Sequence, residues 1–485
     1  MDDAVRSAKE TLGLVESFYK SVDPVDFYRH SQNTKRLIDP FKRVTQLLVL
    51  PLEHLQGERY LLRTLQTSGH MVVDGLTNYH WLSHFIKLLN THETALLKAI
   101  DELRQPQAIS SSLPPAQEDL YPSIPGSPAR QRWFWAIIRI LRHVRKPLPQ
   151  SIPNPLRRPK RLPIAQAFPP TYPKIFDYSL SHTPRLNTHR VHLTLSPSAS
   201  ARLMRLARSV NASIGAGCFT LIGLAMMALH EDQHPAIPPE DRLPYVAAFP
   251  LNPRAFFGYT SADSCMLAFS DGMALPFLPG SLPIDARFRV LARQADRQLK
   301  MYQKKKKKQN QKQDQKKQNQ NQNQTQNQIA GEKGRKEEKT DDAAVGWLHA
   351  QSPLRLLATN FLITMERVEA KLPEHLKSGG ADPQGAYPAN WSPYGATNLV
   401  SSVGLVKEWV APGGYPLDGD GDGDDGIAAD FREVATGVRA RENEFLVQSS
   451  GDGEVLRFAA SYDANAIDEE MVERWKRKML DLLEE

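Results

Sequence analysis

Between residues 304 and 328 the chain contains only Lys, Gln and Asn, apart from one Thr and one Asp. No side chain there can be buried to offset the entropy of ordering. The stretch is therefore expected to be a disordered insertion, running on to about residue 342. Whatever the chain folds into must tolerate a long interruption between two elements. The tract also accounts for the charge. Its eight lysines and one aspartate carry the whole formal net charge of +7, so the remainder is neutral. The folded part lacks the basic excess of a nucleic-acid-binding domain, and no nucleic-acid partner is expected. The run Lys304 to Lys308 is compatible with a nuclear import signal or a polyanion patch. Its setting in a Gln/Asn repeat fits low-complexity expansion better.

Outside the tract, strand-like and helix-like patterns alternate, and the expected class is mixed α/β. With 485 residues and 41% hydrophobic side chains the chain can bury substantial cores. The first 48 residues read as helices with short breaks. Residues 43–50 read as a strand, 51–57 as a turn and 58–68 as a second strand, a hairpin that leads to His70. Leu76, Tyr79, Leu82, Phe85, Ile86 and Leu89 then form one helical stripe. Residues 104–185, rich in proline, read as a connector that wraps a surface, with a short helix at 132–143.

Beyond the connector, 190–195 alternates like a strand. Ser196 and Pro197 open a helix as N-cap and first residue. A long apolar helix is expected at 213–230, a strand at 245–251 and a helix at 284–303. Residues 354–365 resume an apolar pattern. Late strands are expected at 431–438, 444–448 and 454–462, and a closing helix at 468–483.

Four features invite functional readings that their surroundings weaken. His80 and His84 have a metal-compatible spacing, but no third ligand follows, and no metal is expected. Residues 212–229 lack charge and reach the lower limit of a membrane span; glycines inside and the absence of flanking anchors favour a buried helix. The acidic loop at 418–426 imitates the start of an EF-hand, yet Ala429 stands where the bidentate glutamate belongs, so a flexible solvated loop is expected. Cys218 and Cys265 cannot build a disulfide framework. Both are expected to be buried thiols in a reducing compartment, and with no basic, apolar leader at Met1-Asp2-Asp3-Ala4 the expected location is cytoplasmic.

One loop remains: His70-Met71-Val72-Val73-Asp74-Gly75, between a strand and a helix. A strand end holds a histidine backbone in place, and histidine is the side chain suited to proton abstraction near neutral pH. An aspartate four residues on can fold back and hold the loop. A glycine after it supplies positive φ or a close backbone approach.

This segment resembles the active-site loop of the chloramphenicol acetyltransferase-like superfamily, which includes condensation domains and alcohol O-acetyltransferases. Residues 193–229 resemble the opening of that family's C-terminal lobe. Residues 245–254, YVAAFPLNPR, resemble the following strand and its arginine. Residues 397–406, TNLVSSVGLV, resemble its late S-x-G strand. The nearest pattern is that of fungal trichothecene O-acetyltransferase-like enzymes, over about residues 40–480. There are departures: Gly69 stands where many members have a second histidine, and the plant-type D-F-G-W-G motif is not found.

The resemblance implies a two-lobed fold: an N-terminal lobe at 1–185 and a C-terminal lobe at 186–485. It also implies an initial strand and helix that this sequence lacks, so the N-terminal lobe is expected to be incomplete. The implied activity is acyl transfer from acyl-CoA, a co-substrate rather than a resident cofactor, to a hydroxyl of a small secondary metabolite, by a monomer. His70 is then the general base, and Asp74 the orienting residue, paired with Arg254. Gly75 is structural, and Ser401 or Ser402 the oxyanion donor. A stand-alone condensation-type enzyme and an inactive truncated remnant are the alternative readings.

Overall fold

The computed structural model describes residues 23–33, 45–55, 60–70, 72–115, 117–120, 126–130, 132–133, 136–137, 149–164, 166–170, 172, 187–270, 272–302, 396–415, 417, 428–440 and 444–484. The expected insertion at 304–342, the apolar segment at 354–365 and the acidic loop at 418–426 lie outside these residues, as does most of the helix expected at 132–143.

The class is mixed α/β. After helix α1 (Pro24–Asn33), strands β1 (Thr45–His54) and β2 (Tyr60–Ser68) pair antiparallel. Strand β1 does not turn at Pro51, as the sequence suggested. It absorbs the proline at a register shift between Pro51 and Glu53 and continues to His54. A bulge of this kind lets a strand carry a residue with no N–H to donate.

Helix α2 (Gly75–Leu89) follows the hairpin, then α3 (Glu93–Leu103) and α4 (Pro106–Ser112). Residues 149–164 are irregular, as expected of a connector, but they do more than wrap a surface. Ile152 and Leu156 are fully buried within the main core.

That core lies between a six-stranded sheet and helices. The sheet contains β3 (Thr188–Thr194), β4 (Tyr245–Ala248), β7 (Met273–Leu275), β8 (Asn398–Leu405), β9 (Phe445–Gly451) and β10 (Leu456–Asp463), in the order β3-β10-β9-β8-β4-β7. Strand β8 runs parallel to both β4 and β9; the other pairs are antiparallel. The strand expected at 245–251 is broken at Phe249. Its second part, β5 (Pro250–Leu251), pairs separately with β6 (Ala268–Phe269). Residues 431–438 are irregular rather than a strand.

Against one face of the sheet pack α5 (Pro197–Ser209), α6 (Ile214–Gln233), α8 (Ile284–Met301) and α9 (Glu469–Asp481), with α6 in the middle. Every residue of α6 from Ala216 to Met227 is buried, which is how a helix long and apolar enough for a membrane is used here. Gly217 permits the close approach of α5: a Cβ there would lie 2.8 Å from Leu203 Cδ2.

Candidate active site

The hairpin delivers His70 two residues past the end of β2, and the backbone turns at once. The N–H groups of Val72 and Val73 both donate to Gly69 O, at 3.0 and 3.3 Å. The His70 side chain is exposed, and its Nδ1 lies 2.8 Å from Val73 O. A carbonyl only accepts, so Nδ1 carries the proton of this bond. In the neutral ring Nε2 is then the unprotonated nitrogen.

Val73 is held by its neighbour. Asp74 is the N-cap of α2, with extended backbone, and its Oδ1 accepts from Thr77 N at 2.9 Å. Its Oδ2 accepts from Arg254 Nη2 at 2.6 Å and from Met266 N at 2.8 Å. Asp74 and Arg254 are buried, at 6% and 4% exposure, so the pair forms away from water. Asn252 Oδ1 accepts from Arg254 Nη1 at 3.2 Å and from its backbone N–H at 3.1 Å. Arg254 opens the short helix α7 (Arg254–Phe257), which ends on Gly258 in the left-handed region.

The same guanidinium nitrogen donates to two more acceptors: Thr77 Oγ1 at 3.0 Å, and Ser264 O in a short contact. The Thr77 hydroxyl is 3.2 Å from Asp74 Oδ1 and 3.0 Å from Ser264 O. Residues 264–266 thus form a strap bound to the His70 loop on both sides of Cys265. The Cys265 thiol points to His70 O at 3.7 Å. It is half-buried, not buried as expected. Gln117 anchors the next residue, accepting from Leu267 N at 2.8 Å and donating to Leu267 O at 3.2 Å.

Gly75 does not have the backbone expected of it. It starts α2 without positive φ, and a Cβ there would meet Val403 Cγ2 at an ordinary 3.8 Å. Glycine is demanded instead at Gly404, with φ of 85°, where β8 shifts register between Ser402 and Gly404.

The sheet separates the two candidate serines. Ser401 is opposite Gln448 in the β8–β9 register, and Ser402 is opposite Ser449. Gln448 accepts from Thr436 Oγ1 at 2.8 Å, and Thr436 is 3.4 Å from the hydroxyl of Tyr79, on α2. Neighbours in register share a face, so Ser401 lies on the face that α2 covers. Ser402 lies on the other, its Oγ 3.6 Å from where a Cβ on Gly215 of α6 would stand.

His80 and His84 stack edge to face on α2, with ring centroids 4.6 Å apart. Burial, then the charge of His84, holds the His80 pKa below its usual value, while Asp263 opposes the shift. Burial works against the Asp263 carboxylate, but hydrogen bonds from Tyr259 and Ser261 outweigh it and hold its pKa below the usual range. No group of three or more metal-ligating side chains occurs among the described residues.

Thr77, Ser264, Cys265 and Met266 were not legible as site residues. One signal was available for Thr77: an aspartate that opens a helix as N-cap places the residue three positions on within reach of its carboxylate. Nothing local marks the strap, whose backbone groups make the contacts.

No family model matches this sequence, and neither does any curated protein. Its structure is similar to that of TRI3, a trichothecene 15-O-acetyltransferase from Fusarium sporotrichioides. The identity is 10%, 91% of this chain and 70% of that one are covered, and the TM-score is 0.52. The condensation enzyme VibH matches at 13% identity over 91% and 71% of the two chains; its TM-score of 0.36 carries no argument for the fold. The chain shares the fold of that acetyltransferase structure.

Proposed function

We propose that this chain, which shares its fold with an O-acetyltransferase, moves an acyl group from acyl-CoA to a hydroxyl of a small molecule, with His70 as general base. The observation that carries the reading is the His70 Nδ1 contact with Val73 O at 2.8 Å, on an exposed loop. A ring oriented by a carbonyl, with its unprotonated nitrogen turned away from that carbonyl, is the arrangement a general base needs.

In this reading Nε2 takes the proton as the acceptor oxygen attacks the thioester carbonyl. The tetrahedral intermediate collapses with loss of the CoA thiolate, and His70 returns the proton to that sulfur. The acyl group passes directly, so no residue of the chain is acylated. The developing oxyanion requires a hydrogen-bond donor. Ser401 is assigned that role over Ser402 because it lies on the face covered by the helix that follows His70. Asp74 and Arg254 hold the loop and take no proton.

The test is direct. Purified protein is incubated with acetyl-CoA and longer acyl-CoA donors, together with a panel of small alcohols, and free CoA thiol and acylated product are both measured. Acceptor-dependent release of both supports the reading. Full activity in a folded His70→Ala variant, or transfer only from a carrier-protein-bound donor, overturns it.

A further inference from the structure

We propose that Thr77 is the positioning residue of this site: its hydroxyl locks the 264–266 strap to the His70 loop and so sets the orientation of the base. The inference rests on the acyl-transfer reading for its kinetic consequences but not for the lock itself.

Thr77 is fully buried, and its single hydroxyl proton is shared between Asp74 Oδ1 at 3.2 Å and Ser264 O at 3.0 Å. The oxygen also accepts from Arg254 Nη2 at 3.0 Å. That nitrogen has two hydrogens for three acceptors: Asp74 Oδ2, Thr77 Oγ1 and Ser264 O. The ion pair therefore does not seat the strap alone. Thr77 supplies the remaining donor to Ser264 O, and its backbone N–H binds the other carboxylate oxygen, Asp74 Oδ1, at 2.9 Å.

The connection to the base is short. Asp74 follows Val73, whose carbonyl accepts from His70 Nδ1. On the other side, the strap holds Cys265 against His70 O. Thr77 thus reaches His70 along both routes, through Asp74 and through the strap, without touching the reacting atoms. A base turned slightly from its working direction loses rate without losing substrate, because positioning acts on the transition state more than on ground-state binding.

The chain has its own reporter of the lock. Cys218 is fully enclosed, and burial pushes its thiol up to about 12, so a thiol reagent acting on the folded chain reports Cys265. Thr77→Val keeps the shape and removes the hydroxyl; Thr77→Ser keeps the hydroxyl. For each, iodoacetamide labelling of Cys265, kcat and KM with acetyl-CoA, and thermal melting are measured. Thr77→Val is expected to raise the labelling rate about fivefold and lower kcat about tenfold, with KM within about twofold; Thr77→Ser should restore both. Unchanged labelling in Thr77→Val, or a serine variant that fails to restore it, overturns the lock. A tenfold rise in KM with kcat intact overturns the positioning role, and so does loss of the folded state in both variants. If the unsubstituted chain transfers no acyl group, the acyl-transfer reading fails, while labelling still decides the lock.

Discussion

Asp74 and Arg254, 180 residues apart in the chain, meet at 2.6 Å with both side chains almost fully enclosed. One carboxylate oxygen caps α2 and the other takes the guanidinium and the N–H of Met266. All the strong donors around this carboxylate are therefore committed, and removing its charge strands a buried cation.

Asp74→Asn should accordingly act on folding first. Breaking a buried ion pair from one side costs about 3–5 kcal/mol, because the remaining charge loses its compensation. The amide keeps the cap geometry, so the lower end of that range is expected. Urea denaturation of the variant and the unsubstituted protein measures it; a loss below about 1 kcal/mol contradicts the burial argument.

His70→Ala should leave stability nearly unchanged, since the side chain is exposed and makes one hydrogen bond to the backbone of its own loop. Acyl transfer should fall by about 10² to 10⁴, the usual range for loss of a general base. Melting temperature and product formation, measured on one preparation, separate the two effects.

Ser401→Ala and Ser402→Ala distinguish the two faces of β8. Loss of an oxyanion donor lowers kcat by about 10² to 10³. The proposed function gives that loss to Ser401, with kcat for Ser402→Ala within about threefold of the unsubstituted protein. The reverse order would place the reacting carbonyl on the α6 side of the sheet, near Gly215.

Stability should fall with acid in a defined window. Burial, with a smaller contribution from Arg439, pushes His30 down to about 4. Burial, then His234 and Arg242, does the same to His230. Arg242 Nη1 lies 3.1 Å from His230 Nδ1 and can only donate, so that ring is neutral in the folded chain. Between the ordinary value of 6.5 and about 4 the unfolded chain binds more protons than the folded one. Stability is thus full above 6.5 and is lost as pH falls toward 4, on the order of 2 kcal/mol per histidine by pH 5. Urea midpoints at pH 7, 6 and 5 measure the slope. His30→Phe, which keeps a ring among Phe27, Phe168 and Tyr172, should flatten it.

The local elements around the site were legible in the sequence. The alternation before Gly69, the stripe from Leu76 to Leu89 and the Ser196-Pro197 cap each depend on residues within a few positions of one another. Such signals survive in a linear reading because strand and helix periods and cap chemistry are short-range. The resemblance to a known family added Arg254 as a partner for Asp74, and the two do meet.

Tertiary structure decided the rest. Phe249 breaks a continuous apolar run because its two halves pair with different strands. Pro51 stays in β1 because a register shift within β1 absorbs the irregularity while pairing with β2 continues on both sides. Ser401 and Ser402 are neighbours in one strand and so face opposite sides, but only the register with β9 and the placement of α2 and α6 decide which side each takes. The 264–266 strap has no pattern of its own, since the groups it offers are mostly backbone N–H and C=O, which every sequence carries. Its partners in the His70 loop and α2 stand 187 to 195 residues away in the chain. The six residues from His70 to Gly75 thus determined where the strand-to-helix loop would form. Packing against the distant strap decided how that loop is held, because contacts across such separations come from the shape of the whole core.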